Sequence, residues 1–134
     1  MREQARIYVD GASRGNPGQA GIGVILVVDG GVKRLSEYIG FKTNNEAEYM
    51  ALIRGLETAL EMGVRDAVVY SDSQLLVQQL RGSYRVRSRR LKRLYERALE
   101  LISQLASFQI IHVNRSENME ADRLANQAID KKVV

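Results

Sequence analysis

The chain of 134 residues has no cysteine, no tryptophan, one proline and one histidine, and only 6% of its residues are aromatic. Without cysteine, disulfides and thiolate-held metals are excluded. A single proline, alongside 45% hydrophobic and 27% charged residues, leaves no disordered or collagen-like bias and fits an ordinary globule. No run of about 18 apolar residues is present to span a bilayer, and the opening MREQARIYVDG lacks the apolar stretch of a signal peptide. A cytoplasmic protein without a membrane partner is therefore expected. The length suits one domain, residues 1–134, around a single core.

What the chain has in excess is positive charge, and that charge is local. Arg81, Arg85, Arg87, Arg89, Arg90, Lys92, Arg93 and Arg97 stand against Glu96 alone, whereas the whole chain carries +4, so the remainder is acidic on balance. Such a run can be a solvated helix face. Its functional reading is a surface that follows phosphates, with arginines releasing counterions so that binding weakens in salt.

Ala5, Ile7 and Val9 alternate with Arg6, Tyr8 and Asp10, the period of a half-buried strand. The glycine-rich GASRGNPGQAG that follows reads as a turn. Two β-rich runs come next, split by the hairpin signal Asp29-Gly30-Gly31. From Thr43 the period turns helical: Thr43 and Glu46 have capping-box spacing, and Gly63 should end the helix after Met62. Arg65 to Ser71 reads as a strand, 73–80 as a short helix and 88–105 as a long amphipathic one with Leu91, Leu94, Leu101 and Leu105 available for the core. Residues 108–113 read as a last strand and 117–129 as a last helix, capped by Asn114 or Ser116. A leading hairpin followed by strand and helix alternation predicts an α/β sheet, antiparallel at one edge and parallel in its remainder.

Asp10 and Asp72 close the first and fourth strands. On parallel neighbours both would leave one end of the sheet on one face, where open α/β sheets collect ligands. Asp72 alone could be a helix cap. Glu48 has no such role, because Glu46 already fills the capping box, and Leu52 and Gly55 share its helix face. Asp122 repeats that pattern with Ala125 and Ile129. A carboxylate turned toward a core is costly unless something positive meets it. Four converging acids would raise one another's pKa unless a cation sat among them. Oxygen-only ligands, with no cysteine and one histidine, select Mg2+ or Mn2+ over zinc, and two such ions suit in-line phosphoryl transfer to water.

Four short motifs then carry a family likeness: Tyr8-Val9-Asp10-Gly11 with Asn16-Pro17-Gly18, Thr43-Asn44-Asn45-Glu46-Ala47-Glu48, Tyr70-Ser71-Asp72-Ser73-Gln74, and Glu120-Ala121-Asp122-Arg123-Leu124-Ala125. With these in order, the chain resembles a type-I ribonuclease H over nearly its whole length. The resemblance implies a ribonuclease H-like five-stranded mixed sheet flanked by helices, and two Mg2+ or Mn2+ ions held by Asp10, Glu48, Asp72 and Asp122 as catalytic residues. It implies hydrolysis of the RNA strand of an RNA/DNA hybrid to 5′-phosphate and 3′-hydroxyl ends. Glu48 is then expected to contact the ribose 2′-hydroxyl beside the cut. Asn16, Asn44, Asn45 and Gln74 are implied substrate contacts, with Asn16, Asn45 and Gln74 in the minor groove, and Thr43 meets a DNA phosphate.

The likeness is to a compact member, with no segment matching a basic protrusion or a separate hybrid-binding domain; Arg85, Arg87, Arg89 and Arg90 are the candidates to serve instead. Members with a mobile histidine loop have a longer, glycine-containing segment before the last helix, whereas here the strand runs directly through His112-Val113-Asn114-Arg115-Ser116. His112 alternates with Phe108 and Ile110, so a packed or surface side chain is expected. Arg115 becomes the candidate to contact the scissile region or aid product release. A monomer without an obligate protein partner is expected. Double-stranded RNA stays open as a second substrate, as does a related nuclease acting on DNA junctions. A binding module of this fold that has lost catalysis predicts a broken acid set, and none is broken.

Overall fold

The computed structural model describes residues 4–133. Three strands come first: β1 (Ala5–Gly15), β2 (Gly18–Val28) and β3 (Gly31–Lys42). They form an antiparallel meander, because the links at Asn16-Pro17 and Asp29-Gly30 are too short for a crossover. Asp29 and Gly30 both take positive φ, 51° and 77°, which matches the twist of a tight hairpin.

The glycine-rich segment expected to be a turn is mostly strand, since β1 continues to Gly15 and β2 begins at Gly18. Gly15 and Gly18 flank the short turn that remains, whereas Gly11 and Gly21, with Gly23 just beyond the segment, serve packing. A Cβ on Gly23 would overlap the Ala121 carbonyl oxygen, and one on Gly21 the Ala125 carbonyl oxygen, so the last helix can lie directly on β2. In sequence, a glycine needed for close backbone approach looks the same as one needed for a turn.

Helix α1 (Asn44–Glu61) starts from the expected capping box: Thr43 Oγ1 accepts from Glu46 N at 3.2 Å, and Glu46 Oε1 accepts from Thr43 N at 2.9 Å. It ends at Met62, where Gly63 enters the left-handed region at a φ of 82°. Then follow β4 (Asp66–Ser71), α2 (Gln74–Leu80), α3 (Arg89–Ile102), β5 (Ser107–His112), a 3-10 turn (Arg115–Glu117) and α4 (Met119–Val133).

Two caps differ from the expectation. Ser73 caps α2, its hydroxyl accepting from Leu76 N at 3.2 Å; a cap oxygen stands two or three residues before the amide it meets, and Asp72 precedes the cap position by one. Asn114 begins the 3-10 turn, where its N–H donates to Glu117 Oε1 at 3.0 Å, and Ser116 lies inside that turn. Asn118 then precedes α4, its carbonyl accepting from Asp122 N at 3.1 Å.

The sheet order is β3-β2-β1-β4-β5, with β1–β4 and β4–β5 parallel, the mixed sheet that the alternation predicted. On one face Gly55 of α1 packs on Ile7, Val9 and Val24, and α3 backs α1. On the other, α4 covers β1, β2 and β3. Ile7, Val9, Leu52, Leu56 and Val69 are fully buried, each burial contributing roughly 1.5–3 kcal/mol. Leu91 and Leu101 enter the core, and Leu94 and Leu105 are half-buried against it. After β1 the sheet grows first toward β3 and then toward β5, and because Asp10 stands inside β1 and does not close it, the crevice opens where β1 runs on past its pairing with β4, beyond the C-terminal end of β4. No helix among the described residues is long and apolar enough to cross a membrane.

Candidate metal centre

The crevice is where the acids meet. Tyr8 pairs with Tyr70 in the parallel ladder, and their rings stack at 4.7 Å and 15°. Two residues further on, the same pleat delivers Asp10 and Asp72 side by side. Glu48 arrives from the first turns of α1, where Gly11 N donates to its Oε1 at 2.8 Å. This approach requires glycine, because a Cβ on Gly11 would overlap the Ala47 carbonyl and come within 2.5 Å of Glu48 N. Carboxylate oxygens of Asp10, Glu48 and Asp72 all lie within 4.8 Å of one another.

Asp122 reaches the site from the first turn of α4. Asn118 anchors that turn, its Nδ2 donating to the Val9 carbonyl at 2.8 Å, one residue before Asp10. The Asp122 side chain lies close enough to the Asp10 carboxyl to push it up, but it stands outside the set in which every oxygen is within 4.8 Å of the others. Four acids therefore converge, as three plus one.

Burial is the main reason the Asp10 carboxyl is pushed up to about 10, with the charges of Glu48 and Asp72 and the hydrogen bond and charge of Asp122 adding to it. Burial also pushes Glu48 up to about 8; the Gly11 N–H and the charge of Arg115 oppose this, while Asp72 and Asp122 reinforce it. Ionised, these groups repel one another in a place water reaches poorly. A hard divalent cation resolves that conflict, since its ligands are carboxylate oxygens and its charge offsets theirs. Asp10, Glu48 and Asp72 could hold such an ion, and among the described residues they are the only such group.

A cleft of about 370 Å3 beside the acids is lined by Glu48, Asp72, His112, Val113, Asn114 and Arg115. Arg115, in the 3-10 turn, is exposed there and close enough to favour ionised Glu48. His112 ends β5 with an exposed side chain, a surface histidine as expected, yet on the wall of the same cleft.

The other candidates divide into those tied to the centre and those apart. Asn44 N donates to Asn16 Oδ1 at 3.0 Å, joining the β1–β2 hairpin to the start of α1 beside Thr43. Asn45 and Gln74 are exposed near the starts of α1 and α2. Arg90 stands 4.0 Å from Glu46 Oε1, which brings the basic strip to the Thr43 cap. Arg85, Arg87 and Arg89 are exposed and form no ion pair among the described residues. Sequence reasoning missed Gly11 and Asn118 as supports of the acids. Their signals were slight: a glycine directly after Asp10, and an asparagine four residues before Asp122.

A family model described as reverse transcriptase-like matches residues 8–128. The chain is 47% identical over 125 residues to a ribonuclease HI of Halobacterium salinarum, covering 92% of this chain and 63% of that protein. The crystal structure of RNase H1 from the same archaeon superposes with a TM-score of 0.92, at 44% identity, over 96% of this chain and 99% of that one. LC11-RNase H1, isolated from compost and crystallised in complex with an RNA/DNA hybrid, superposes with a TM-score of 0.91 at 39% identity, over 97% and 99% of the two chains. The bifunctional protein Rv2228c of Mycobacterium tuberculosis is 43% identical over 127 residues, 92% of this chain and 35% of that protein. The chain thus spans about two-thirds of one of these curated relatives and about a third of the other.

Proposed function

The chain belongs to the ribonuclease H family, and from that premise we propose that it is an endonuclease hydrolysing the RNA strand of RNA/DNA hybrids to 5′-phosphate and 3′-hydroxyl products. The observation that carries this reading is the convergence of Asp10, Glu48 and Asp72 within 4.8 Å, with Asp122 on Asp10. Asp10, Glu48, Asp72 and Asp122 would hold two Mg2+ or Mn2+ ions. Bound there, such ions supply Lewis-acid activation of water and neutralise charge on the scissile phosphate. Everything else falls to the protein's own groups. Gly11 N–H fixes one oxygen of Glu48, leaving the other to read a ribose 2′-hydroxyl, the group that separates RNA from DNA. Asn16, Asn45 and Gln74 would serve as minor-groove contacts, Asn44 as a further substrate contact, and Thr43 takes a phosphate of the DNA strand. The domain formed by the 134 residues carries all four acids, so it acts as a monomer, and we place it in the cytoplasm.

Cleavage of matched RNA/DNA, RNA/RNA and DNA/DNA duplexes with Mg2+ or Mn2+ tests the assignment. Cutting confined to the RNA strand of the hybrid is the expected result, and an intact hybrid under both metals sinks it. Cutting of the RNA duplex as well would widen the substrate class.

Two further expectations concern the outer parts of the site. Arg115→Ala should lower turnover by about tenfold to a hundredfold, the scale of one charge-assisted hydrogen bond of roughly 1.5–3 kcal/mol. Turnover equal to wild type would remove Arg115 from the site. Replacing Arg85, Arg87, Arg89 and Arg90 together by glutamine should weaken hybrid binding and flatten its dependence on salt, by about one in the log–log slope for each phosphate that is no longer neutralised. A slope unchanged from wild type would show that the strip does not touch nucleic acid.

A further inference from the structure

A network outside the acid cluster runs over the end of the β1–β2 hairpin. Arg14 Nη2 donates to Asn126 Oδ1 at 3.2 Å and to the Asn126 carbonyl at 3.3 Å, while Arg14 Nη1 pairs with Asp130 Oδ1 at 2.5 Å. Asn126 Nδ2 in turn donates to Asp122 Oδ1 at 3.3 Å and to the Asp122 carbonyl at 3.0 Å. The direction of this chain is fixed by chemistry. A guanidinium only donates, so it must meet the oxygen of the amide, and the amide NH2 is then turned toward Asp122. On α4 the two residues are four apart, the spacing at which helix side chains meet.

Asp122 is the acid with most freedom to be misplaced, because it stands outside the compact set formed by the other three. A hydrogen bond to one of its oxygens holds the rotamer and leaves the second oxygen for the site. The same hairpin is bonded to α1 through Asn16 and Asn44, so it ties together the two helices that carry Glu48 and Asp122.

We infer that Asn126, with its amide oriented by Arg14, is a positioning residue that sets the Asp122 carboxylate for metal binding. The inference rests on the metal-dependent reading above. It means that a change at the hairpin, far along the chain from any acid of α4, alters metal affinity while leaving all four carboxylates in place.

Calorimetric titration with Mn2+ alone, without nucleic acid, tests this on the full chain. Asn126→Ala should weaken Mn2+ binding by about tenfold, the lower range for partners that orient metal ligands. Arg14→Ala should weaken it severalfold. Arg14→Lys should behave like Arg14→Ala, because an ammonium can keep the pair with Asp130 but cannot present a planar fork to it and to Asn126 together. Thermal midpoints of all three should stay within a few degrees of wild type, which separates orientation from general loss of structure. Should Asn126→Ala fail to fold, the two Arg14 variants decide the matter. Mn2+ affinity within twofold of wild type in the variants overturns the inference, and full rescue by Arg14→Lys reduces Arg14 to a tether. A wild-type protein that binds no Mn2+ defeats the metal reading itself, a result distinct from tight binding that the variants leave unaltered.

Discussion

Asp10→Asn is expected to lower hybrid cleavage by about a thousandfold while making the metal-free protein more resistant to heat. The first effect follows from removing a carboxylate at the centre of the cluster, on the scale of losing one preorganised charge-stabilising group. The second follows from burial. Asp10 is 4% exposed, and its carboxyl is pushed up to about 10 from an ordinary 3.8. Between those values the folded protein binds more protons than the unfolded chain, so stability without metal is greatest at low pH and falls as pH rises through that window. Glu48, pushed up to about 8, adds to the fall with the same sign. An asparagine carries no charge to bury. At neutral pH the gain should be on the order of 2 kcal/mol, or roughly 5–10 °C in a domain of this size. Thermal melts from pH 4 to 9, with and without Mg2+, check both signs: added metal should stabilise wild type more as pH rises and should do little for the variant. A variant that melts lower than wild type at every pH would mean that Asp10 carries no electrostatic strain.

Gly11→Ala should be the most damaging single methyl in the site. Its Cβ would overlap the Ala47 carbonyl and press on Glu48 N, all of them backbone atoms of the first turns of α1. Relief requires the helix to move away from β1, which breaks the 2.8 Å bond from Gly11 N to Glu48 Oε1. The cost should be at least about 3 kcal/mol, the upper range for overpacking, and roughly 10–15 °C in thermal midpoint. Displacing Glu48 by even about 1 Å should also lower turnover by about a hundredfold. Gly30→Ala is the control: it too replaces a glycine, at a φ of 77°, but nothing lies within 4 Å of the added carbon, so only a backbone cost of about 1–2 kcal/mol applies and cleavage should persist. Equal midpoints and equal turnover for Gly11→Ala and wild type would show that close packing at this strand does not set Glu48.

Much of the fold could be read locally. The hairpin at Asp29-Gly30, the Thr43–Glu46 box and the stop at Gly63 are each decided within about four residues, and each stands in the structure as expected. The distinction between Glu46 and Glu48 was legible for the same reason, because one of them has a local partner and the other does not. Local signals misled where one residue type serves two purposes. Of the glycines after Asp10 that read as a turn, Gly15 and Gly18 do flank one, but Gly11 and Gly21 let α1 and α4 approach the sheet, and Asp72 resembled a cap although Ser73 holds the position from which a hydroxyl reaches Leu76 N.

The sequence by itself determined the order of elements, their periods, and the face of strand or helix from which each acid leaves, because these depend on backbone preferences and on neighbours a few residues away. Only the tertiary structure decided how far apart the acids stand and what holds them. Gly11 meets Glu48 across 37 residues, Asn118 meets Val9 across 109, and Arg14 meets Asn126 across 112. No local rule carries such pairs; they exist because burying the two faces of one sheet brings α1 and α4 to the same end of β1. That convergence turns three ordinary carboxylates, Asp10, Glu48 and Asp72, into a set that could hold a divalent cation, with Asp122 beside it.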